Sequence, residues 1–268
     1  MKPTLYHHGL STCAAKARLA LAEKGVEWEA RFVDIVKGES HTPEYLKLNP
    51  RGMVPTLVHD GHVICESNVI CEYVDNAFDG PELVPQAPVE RARMRGWMRR
   101  LDERLHFPAT SVLTFAISGR RGMAEAFESK LPGAEMLPDS QPLPDGPLAE
   151  LLPRSGLSAA AVTASVRSFG EAIADMEADL RQGPWLAGAT FSLADIAFAP
   201  YLTRLDCLQL EWLWDERPAV ADWYGRIRER PTYAAAIAAW LGPPEAIETM
   251  QRNGLAVRAA LVAAAGRS

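Results

Sequence analysis

The sequence predicts an α/β domain followed by an all-helical domain. Three observations predict this: strand and helix patterns alternate over residues 1–79, a Gly-Pro break follows, and strand patterns nearly vanish from residue 89 onward. We therefore expect domains at 1–79 and 89–268, joined by a linker at 80–88. A chain of 268 residues is long enough to bury two separate cores.

The first domain opens with a strand–helix–strand pattern. A short strand is predicted at Thr4–His7, and an Ala- and Leu-rich helix at residues 11–24 ends before Gly25. Alternating apolar and polar residues over 27–35 predict a second strand. This order favours a right-handed parallel crossover between the two strands.

A hairpin pattern completes the first domain. After a short helix near Pro43–Leu48, two apolar runs at 56–59 and 62–64 are joined by Asp60-Gly61, and Glu66-Ser67 opens another helix. The order β-α-β, connection, β-β-α predicts a thioredoxin-like domain.

The second domain carries helical patterns. We predict helices at 89–118 (one helix, or two broken near Pro108), 158–182, 192–210 and 218–240, with a tail from Pro243 that forms another helix or frays. The segment 132–153 holds six prolines and predicts an irregular loop or lid within an insertion near 120–155: Pro132, Pro138, Pro142, Pro144, Pro147 and Pro153.

Composition excludes several classes of function. The net charge of −6 argues against binding to nucleic acid or to anionic lipid. No apolar run approaches the ~20 residues that span a bilayer, and we expect no signal peptide. The cysteines show no paired spacing and the histidines form no metal-binding set, so we expect a reducing, cytoplasmic compartment and no metal. These cysteines are Cys13, Cys65, Cys71 and Cys207.

Three local features together predict a peptide-binding site. A cis Pro55 before a strand would leave the backbone N–H and C=O of Val54 able to bind an extended peptide. The helix beginning at Glu66-Ser67 suits a carboxylate, and the helix beginning near Ser11 would stabilise a thiolate. The expected ligand is therefore a peptide with a carboxylate at one end and a thiol in its middle.

These motifs resemble those of the glutathione transferases. The resemblance rests on Asn-Pro-x-x-x-Val-Pro-Thr-Leu at 49–57, Glu-Ser-x-x-Ile-x-x-Tyr at 66–73, and a capping box formed by Ser192 and Asp195 within 185–195. Ser11-Thr12-Cys13 is similar to the serine-type classes, especially zeta, and to bacterial reductive dehalogenases. The stretch 49–73 also resembles bacterial β-aryl-etherases.

The resemblance implies glutathione as co-substrate and a role for each residue near Ser11. Ser11 is the first choice for the catalytic hydroxyl, although its residue type also fits a simple helix N-cap. Cys13 is the competitor, because a cysteine there can form a mixed disulfide with glutathione. Thr12 is the remaining hydroxyl.

Further residues are implied to bind glutathione. Val54, beside Pro55, should pair with the cysteinyl backbone, and Glu66 and Ser67 should bind the γ-glutamyl end. His41 or Arg51 should reach the glycyl carboxylate; both residue types also fit a solvated surface. Asp102 is a further candidate, toward the glutathione of a partner subunit.

The resemblance leaves the reaction open among several alternatives. The first is thiolate attack on a small hydrophobic electrophile, in a detoxifying homodimer. The others are a reductive dehalogenase, an ether-cleaving enzyme, a zeta-like isomerase, and a non-enzymatic binding protein of the same fold. The resemblance implies a second pocket built from the Ser11 loop, the long helix around His106 and Phe107, and the proline-rich insertion.

Overall fold

A four-stranded mixed sheet organises the N-terminal part of the chain. In the computed structural model, which describes residues 1–118, 157 and 159–265, the strands are β1 (Thr4–His7), β2 (Glu29–Phe32), β3 (Thr56–His59) and β4 (His62–Cys65). Their order is β2-β1-β3-β4; β1 and β2 are parallel, and the other neighbours are antiparallel. The predicted crossover and hairpin are confirmed.

Helices α1 (Thr12–Glu23), α2 (Pro43–Leu48) and α3 (Ser67–Ala77) accompany this sheet. Helix α1 packs against α3 and is buried on nearly every face. Lys24 caps its C-terminus, and Gly25 follows with a φ of 67°, as its sequence position predicts. Leu5 and Leu57 of the sheet and Leu21 of α1 are fully buried. The predicted thioredoxin-like arrangement is confirmed.

The rest of the described chain is helical, as predicted. Its longer helices are α4 (Pro88–Arg100), a π-helical segment (Leu101–Ser111), α5 (Val112–Ser118), α6 (Ala159–Leu180), α7 (Leu193–Cys207), α8 (Pro218–Glu229), α9 (Pro231–Ala236) and α10 (Pro244–Ala264), and short 3-10 helices lie at Glu211–Leu213 and Ala238–Trp240. The predicted insertion near 120–155 lies outside the described residues.

Pro108 is accommodated without a break in the helical path. The π-helical segment widens the turn around the proline, which has no N–H to donate. Nearby hydroxyls bond carbonyls of the segment: Thr110 Oγ1 donates to Leu105 O at 2.7 Å, and Ser165 Oγ donates to Pro108 O at 2.9 Å. The sequence left open whether residues 89–118 form one helix or two. The structure has two α-helices, α4 and α5, joined by the π-helical segment.

Two predicted elements differ in length from those observed. The prediction of a single helix over 218–240 is wrong. The observed helix ends at Glu229 and another begins at Pro231, because the residue before a proline avoids helical geometry. The strand predicted over 27–35 is shorter, at Glu29–Phe32, because it is an exposed edge strand with one neighbour.

The predicted capping box at the start of α7 is confirmed. Ser192 N–H donates to Asp195 Oδ2 at 2.9 Å, and Ala194 N–H donates to Ser192 Oγ at 3.3 Å. Asp195 Oδ1 also accepts from Trp223 Nε1 at 2.8 Å. Burial raises the pKa of Asp195, although these donors favour its charged form.

The chain forms two compact units. One comprises Met1–Met98, Gly183–Pro200 and Trp223–Gly242; the other comprises Arg99–Gln182, Tyr201–Asp222 and Pro243–Ser268. Each unit combines separate stretches of the chain, whereas the domains expected from the sequence are continuous. The boundaries of those expected domains stay a prediction. None of the described helices is both long and apolar enough to cross a membrane.

Candidate active site

The sheet register brings the three predicted site segments to one edge. Tyr6 of β1 lies opposite Thr56 of β3, and Thr56 lies opposite Cys65 of β4. Because β3 is antiparallel to both neighbours, its beginning adjoins the end of β1 and the end of β4. The loop leading to Ser11, the Val54-Pro55 corner and Glu66-Ser67 therefore meet at this edge.

Ser11 is the N-cap of α1, with φ −75° and ψ 117°. Its Oγ accepts from Ala14 N–H at 3.1 Å, and its own N–H donates to His8 O at 3.1 Å. Within the described part of the chain, its hydroxyl proton has no acceptor. Capping uses an oxygen lone pair and leaves the O–H donor available, so an N-cap and a catalytic hydroxyl are compatible roles.

Thr12 and Cys13 are the first two residues of α1, and both side chains are half-buried. Cys13 forms no disulfide bond with any described cysteine. Both residues lie at the positive end of the helix dipole, which favours an anion nearby. The three candidates for activation of the thiol are therefore consecutive residues of one helix start.

The Val54–Pro55 peptide bond is cis, as the sequence analysis expects. Across the described residues, the backbone N–H and C=O of Val54 have no hydrogen-bond partner. The adjacent Met53 carbonyl is held firmly: it accepts from Tyr45 Oη at 2.6 Å and from Asn49 Nδ2 at 2.9 Å. The corner is fixed by its neighbours, while the backbone polar groups of the buried Val54 stay unpaired among the described residues.

Tyr45 and Asn49 are positioning residues that the sequence analysis missed. Their side chains lie 3.0 and 3.2 Å from Thr56 Oγ1, so they join α2 to the start of β3. Burial raises the pKa of Tyr45 to about 12, and its hydroxyl stays protonated as a donor. The sequence signal for such positioning residues is a polar side chain at a position of the short helix that is expected to be buried.

Glu66 directly precedes α3 in a strained backbone conformation, with φ 67° and ψ 116°. A non-glycine residue in this region is an outlier and costs about 1–3 kcal/mol. Its carboxylate pairs with the guanidinium of Arg51. Ser67 begins the helix and is buried, and the first turn of α3 contains no acidic side chain. This helix start can therefore receive a ligand carboxylate.

Comparison with known proteins gives two family matches. Residues 1–76 match the model described as "Glutathione S-transferase, N-terminal domain", and residues 159–226 match "Glutathione S-transferase, C-terminal domain". The chain is 34% identical to Protein LigF of a Sphingobium species, over 85% of this chain and 90% of LigF. The chain belongs to the glutathione S-transferase family.

Other relatives of this glutathione S-transferase are consistent with the family assignment. It is 28% identical to the tetrachloro-p-hydroquinone reductive dehalogenase of Sphingobium chlorophenolicum, over 87% of this chain and 94% of the relative. The crystal structure of β-etherase LigF matches with a TM-score of 0.69 and 30% identity, over 89% of this chain and 100% of LigF. A theta class glutathione S-transferase from Xanthomonas axonopodis pv. citri, with glutathione bound, matches with a TM-score of 0.67 and 26% identity, over 90% and 99%.

Three further residues of this transferase were predicted to bind glutathione: His41, Arg51 and Asp102. His41 lies against Gly52 in the segment before Val54, with its Nδ1 3.1 Å from Ser40 Oγ. Arg51 pairs with Glu66, so the structure brings together two residues that were assigned to opposite ends of glutathione. Asp102 is exposed on the π-helical segment. The roles of these residues toward glutathione stay predictions.

Proposed function

We propose that this transferase binds glutathione in an extended conformation along the sheet edge formed by β1, β3 and β4. The observation that carries the proposal is the register of Tyr6, Thr56 and Cys65. Adjacent strands lie ~4.8 Å apart, so the outer two segments are about 10 Å apart, and three extended residues also span about 10 Å. The edge and a tripeptide therefore match in length.

Each part of glutathione then has a partner at this edge. The backbone N–H and C=O of Val54 pair with the cysteinyl residue, beside Pro55. Ser67 and Glu66 bind the γ-glutamyl end, where the start of α3 favours its carboxylate. His41 contacts the glycyl end, and Arg51 acts there or through its ion pair with Glu66.

Ser11 keeps the glutathione sulfur ionised. A free thiol has a pKa near ~8.5, and each unit of depression corresponds to about 1.4 kcal/mol. A hydroxyl that donates to the sulfur and the positive end of α1 together supply roughly one or two units. The thiolate attacks an electrophilic carbon; a C–S bond forms, and the leaving group departs with the electron pair of the broken bond.

The Ser11 assignment is tested with a chloronitrobenzene assay of three variants. Ser11→Ala removes both the cap and the donor, whereas Ser11→Gly costs only a few tenths of a kcal/mol of helix stability. We expect both variants to lose about tenfold or more in turnover, or about 1.4 kcal/mol in the barrier. Cys13→Ala should stay near the wild-type rate. Near-wild-type turnover in Ser11→Gly would show the assignment to be wrong.

Cys13 chemistry is the alternative within the same site. Glutathione would first displace the halide to give a thioether, and the Cys13 thiolate would then attack the sulfur of that thioether; the S–S bond forms, the C–S bond breaks, and the substrate carbon keeps the electron pair and takes a proton. Incubation with oxidised glutathione and mass spectrometry tests this alternative: an adduct that maps to Cys13 supports it, and an unmodified Cys13 removes it.

Ether cleavage is a second candidate function, favoured by the 34% identity to LigF, whose structure is described as a β-etherase. The thiolate would attack the carbon that bears the ether oxygen; the C–S bond forms, the C–O bond breaks, and solvent protonates the departing aryloxide. Two substrates that share a carbon skeleton test this candidate, one with a nitrophenoxide and one with a chloride leaving group. Faster turnover of the nitrophenyl ether supports ether cleavage, and faster turnover of the chloride supports the first function.

We further propose a cytoplasmic homodimer with a detoxifying role. Its second substrate would be a small hydrophobic electrophile. Analytical ultracentrifugation tests the assembly: a sedimentation mass near one chain at micromolar concentration would contradict the dimer.

A further inference from the structure

Arg18 is a buried arginine on α1 whose hydrogen-bond partners are all uncharged. Its side chain is 1% exposed, and no carboxylate among the described residues forms an ion pair with it. A buried charge normally has an opposite charge beside it, because desolvation is costly. Burial accordingly lowers the pKa of Arg18 from its ordinary value, although the guanidinium stays protonated at neutral pH.

The guanidinium joins the end of α9 to the loop that precedes Ser11. Its Nε donates to Ala236 O at 2.8 Å. Its two Nη groups donate to His8 O and Gly9 O, each at 3.3 Å. The ring of Trp240 lies 5.3 Å from its Cζ, within the range of a cation–π interaction.

One of these carbonyls also holds Ser11. His8 O accepts from Arg18 Nη1 at 3.3 Å and from Ser11 N–H at 3.1 Å. Two consecutive hydrogen bonds therefore lead from the buried charge to the backbone N–H of Ser11, the residue that carries the proposed catalytic hydroxyl. A planar guanidinium donates in fixed directions, so it can define the positions of several carbonyls at once.

The titratable neighbour His7 adds no second positive charge beside Arg18. Its Nδ1 lies 3.3 Å from Arg18 Nη1, and burial together with the Arg18 charge lowers the pKa of His7 to about 4. His7 is therefore neutral near pH 7, and His8 contributes its carbonyl to the contact. The positive charge behind the loop is left without an anion in the described protein.

We propose that Arg18 is a positioning residue of the glutathione site, which fixes the His8–Gly9 carbonyls behind Ser11 and supplies the positive charge that a bound thiolate balances. This inference rests on the proposed binding of glutathione. It assigns to one buried side chain both the placement of the loop and part of the electrostatic field at the sulfur.

The test is the ultraviolet absorbance of the glutathione thiolate, measured against pH in the complex of glutathione with the full chain. In Arg18→Gln, the bound thiol should titrate about one pH unit higher, a tenfold loss of thiolate below that pH. Arg18→Lys keeps the charge, but one ammonium group cannot bond three carbonyls in fixed directions. It should shift the titration in the same direction by roughly half a unit.

Two control variants separate this effect from general loosening. Glu23 also ties α1 to the α9 region, through Arg230 Nε at 2.7 Å and through Thr232, without contacting the Ser11 loop. Arg31 is an exposed arginine paired with Glu29. Glu23→Gln and Arg31→Gln should titrate as the wild type does. A shift in Glu23→Gln equal to that in Arg18→Gln would overturn the proposal.

The outcome also distinguishes this inference from the proposed function. If Arg18→Gln does not fold, Arg18→Lys decides: a titration that coincides with the wild type overturns the positioning role. Calorimetry on the wild-type chain tests glutathione binding separately. A wild type that fails to bind glutathione contradicts the proposed function, whereas normal binding with unshifted Arg18 variants contradicts only the role of Arg18.

Discussion

At the scale of single residues, Glu66 combines a proposed binding role with a strained backbone. Its φ of 67° favours glycine, whereas its carboxylate pairs with Arg51. Glu66→Gly and Glu66→Ala both remove the carboxylate, but only glycine relieves the strain. We expect Glu66→Gly to be more stable to urea than Glu66→Ala by about 1 kcal/mol.

Both Glu66 variants should bind glutathione more weakly than the wild type by a similar factor, because both lose the same side chain. The experiment compares urea midpoints and calorimetric affinities. If Glu66→Ala is as stable as Glu66→Gly, the backbone at this position is not strained.

The Tyr45 hydroxyl should affect glutathione binding rather than the chemical step. It donates to Met53 O beside the Val54 corner, so Tyr45→Phe should weaken the binding of glutathione about fivefold, for the loss of about 1 kcal/mol. Tyr6→Phe is the matched control, because Tyr6 forms no hydrogen bond through its hydroxyl with the described residues. A Tyr45→Phe variant with unchanged KM for glutathione and reduced kcat would refute this role.

His7 should make the stability of the protein depend on pH. Its pKa is about 4 in the folded protein and about 6.5 when exposed, so the unfolded chain takes up a proton first as the pH falls. Stability that is present above pH ~6.5 is therefore lost between pH ~6.5 and ~4, by up to about 3 kcal/mol.

The pH effect of His7 is measured by urea unfolding at pH 7 and pH 4.5. His7→Gln should lose less stability between these two values than the wild type, and the exposed His62→Gln should behave as the wild type. Equal pH dependence in His7→Gln and the wild type would rule out His7 as the cause.

The residues of the site differ in how far the sequence could predict them. Ser11, Val54 and Glu66 stand in local motifs whose geometry follows from capping, a cis proline and a helix start. Arg18 contacts Ala236, 218 residues further along the chain. A contact at that separation leaves no local pattern in the sequence, so the sequence could not predict it.

At the scale of elements, α10 depends on close contact at Gly254. A Cβ at this position would lie 2.1 Å from Leu208 O, a backbone atom that cannot move aside easily. Gly254→Ala should therefore destabilise the protein by about 2 kcal/mol and expose α10 to proteolysis. Limited proteolysis with mass spectrometry detects the cleavage.

Gly225→Ala is the matched control for Gly254→Ala. Gly225 lies in α8 with no atom within 4 Å of an added Cβ. The substitution should stabilise the protein by about 0.5–1 kcal/mol, because alanine favours helix over glycine. Destabilisation by both alanines would mean that the contact with Leu208 is not the cause.

Periodicity predicted the helices and strands better than it predicted their ends. The turn at Asp60-Gly61 and the cap at Gly25 follow from residue preferences that act locally. The break at Pro231 was missed because the apolar pattern continues through it. The π-helical segment at Pro108 depends on hydroxyls such as Thr110, whose hydrogen bonds form only once the helix exists.

At the scale of the whole molecule, the fold class and family follow from the order of motifs, each of which is weak alone. The strands β1, β3 and β4 bring together segments near residues 11, 54 and 66, which are far apart in sequence. The reaction does not follow in the same way, because the chain is similar both to a β-etherase and to a reductive dehalogenase.

The most direct test of the central claim is a crystal structure of the protein with glutathione. The account predicts an extended ligand that forms hydrogen bonds to both the N–H and the C=O of Val54, with its γ-glutamyl carboxylate at the start of α3. The sulfur should lie within hydrogen-bond distance of Ser11 Oγ, roughly 3.5 Å or less. Glutathione bound away from this edge, or a sulfur that contacts Cys13 and not Ser11, would contradict the account.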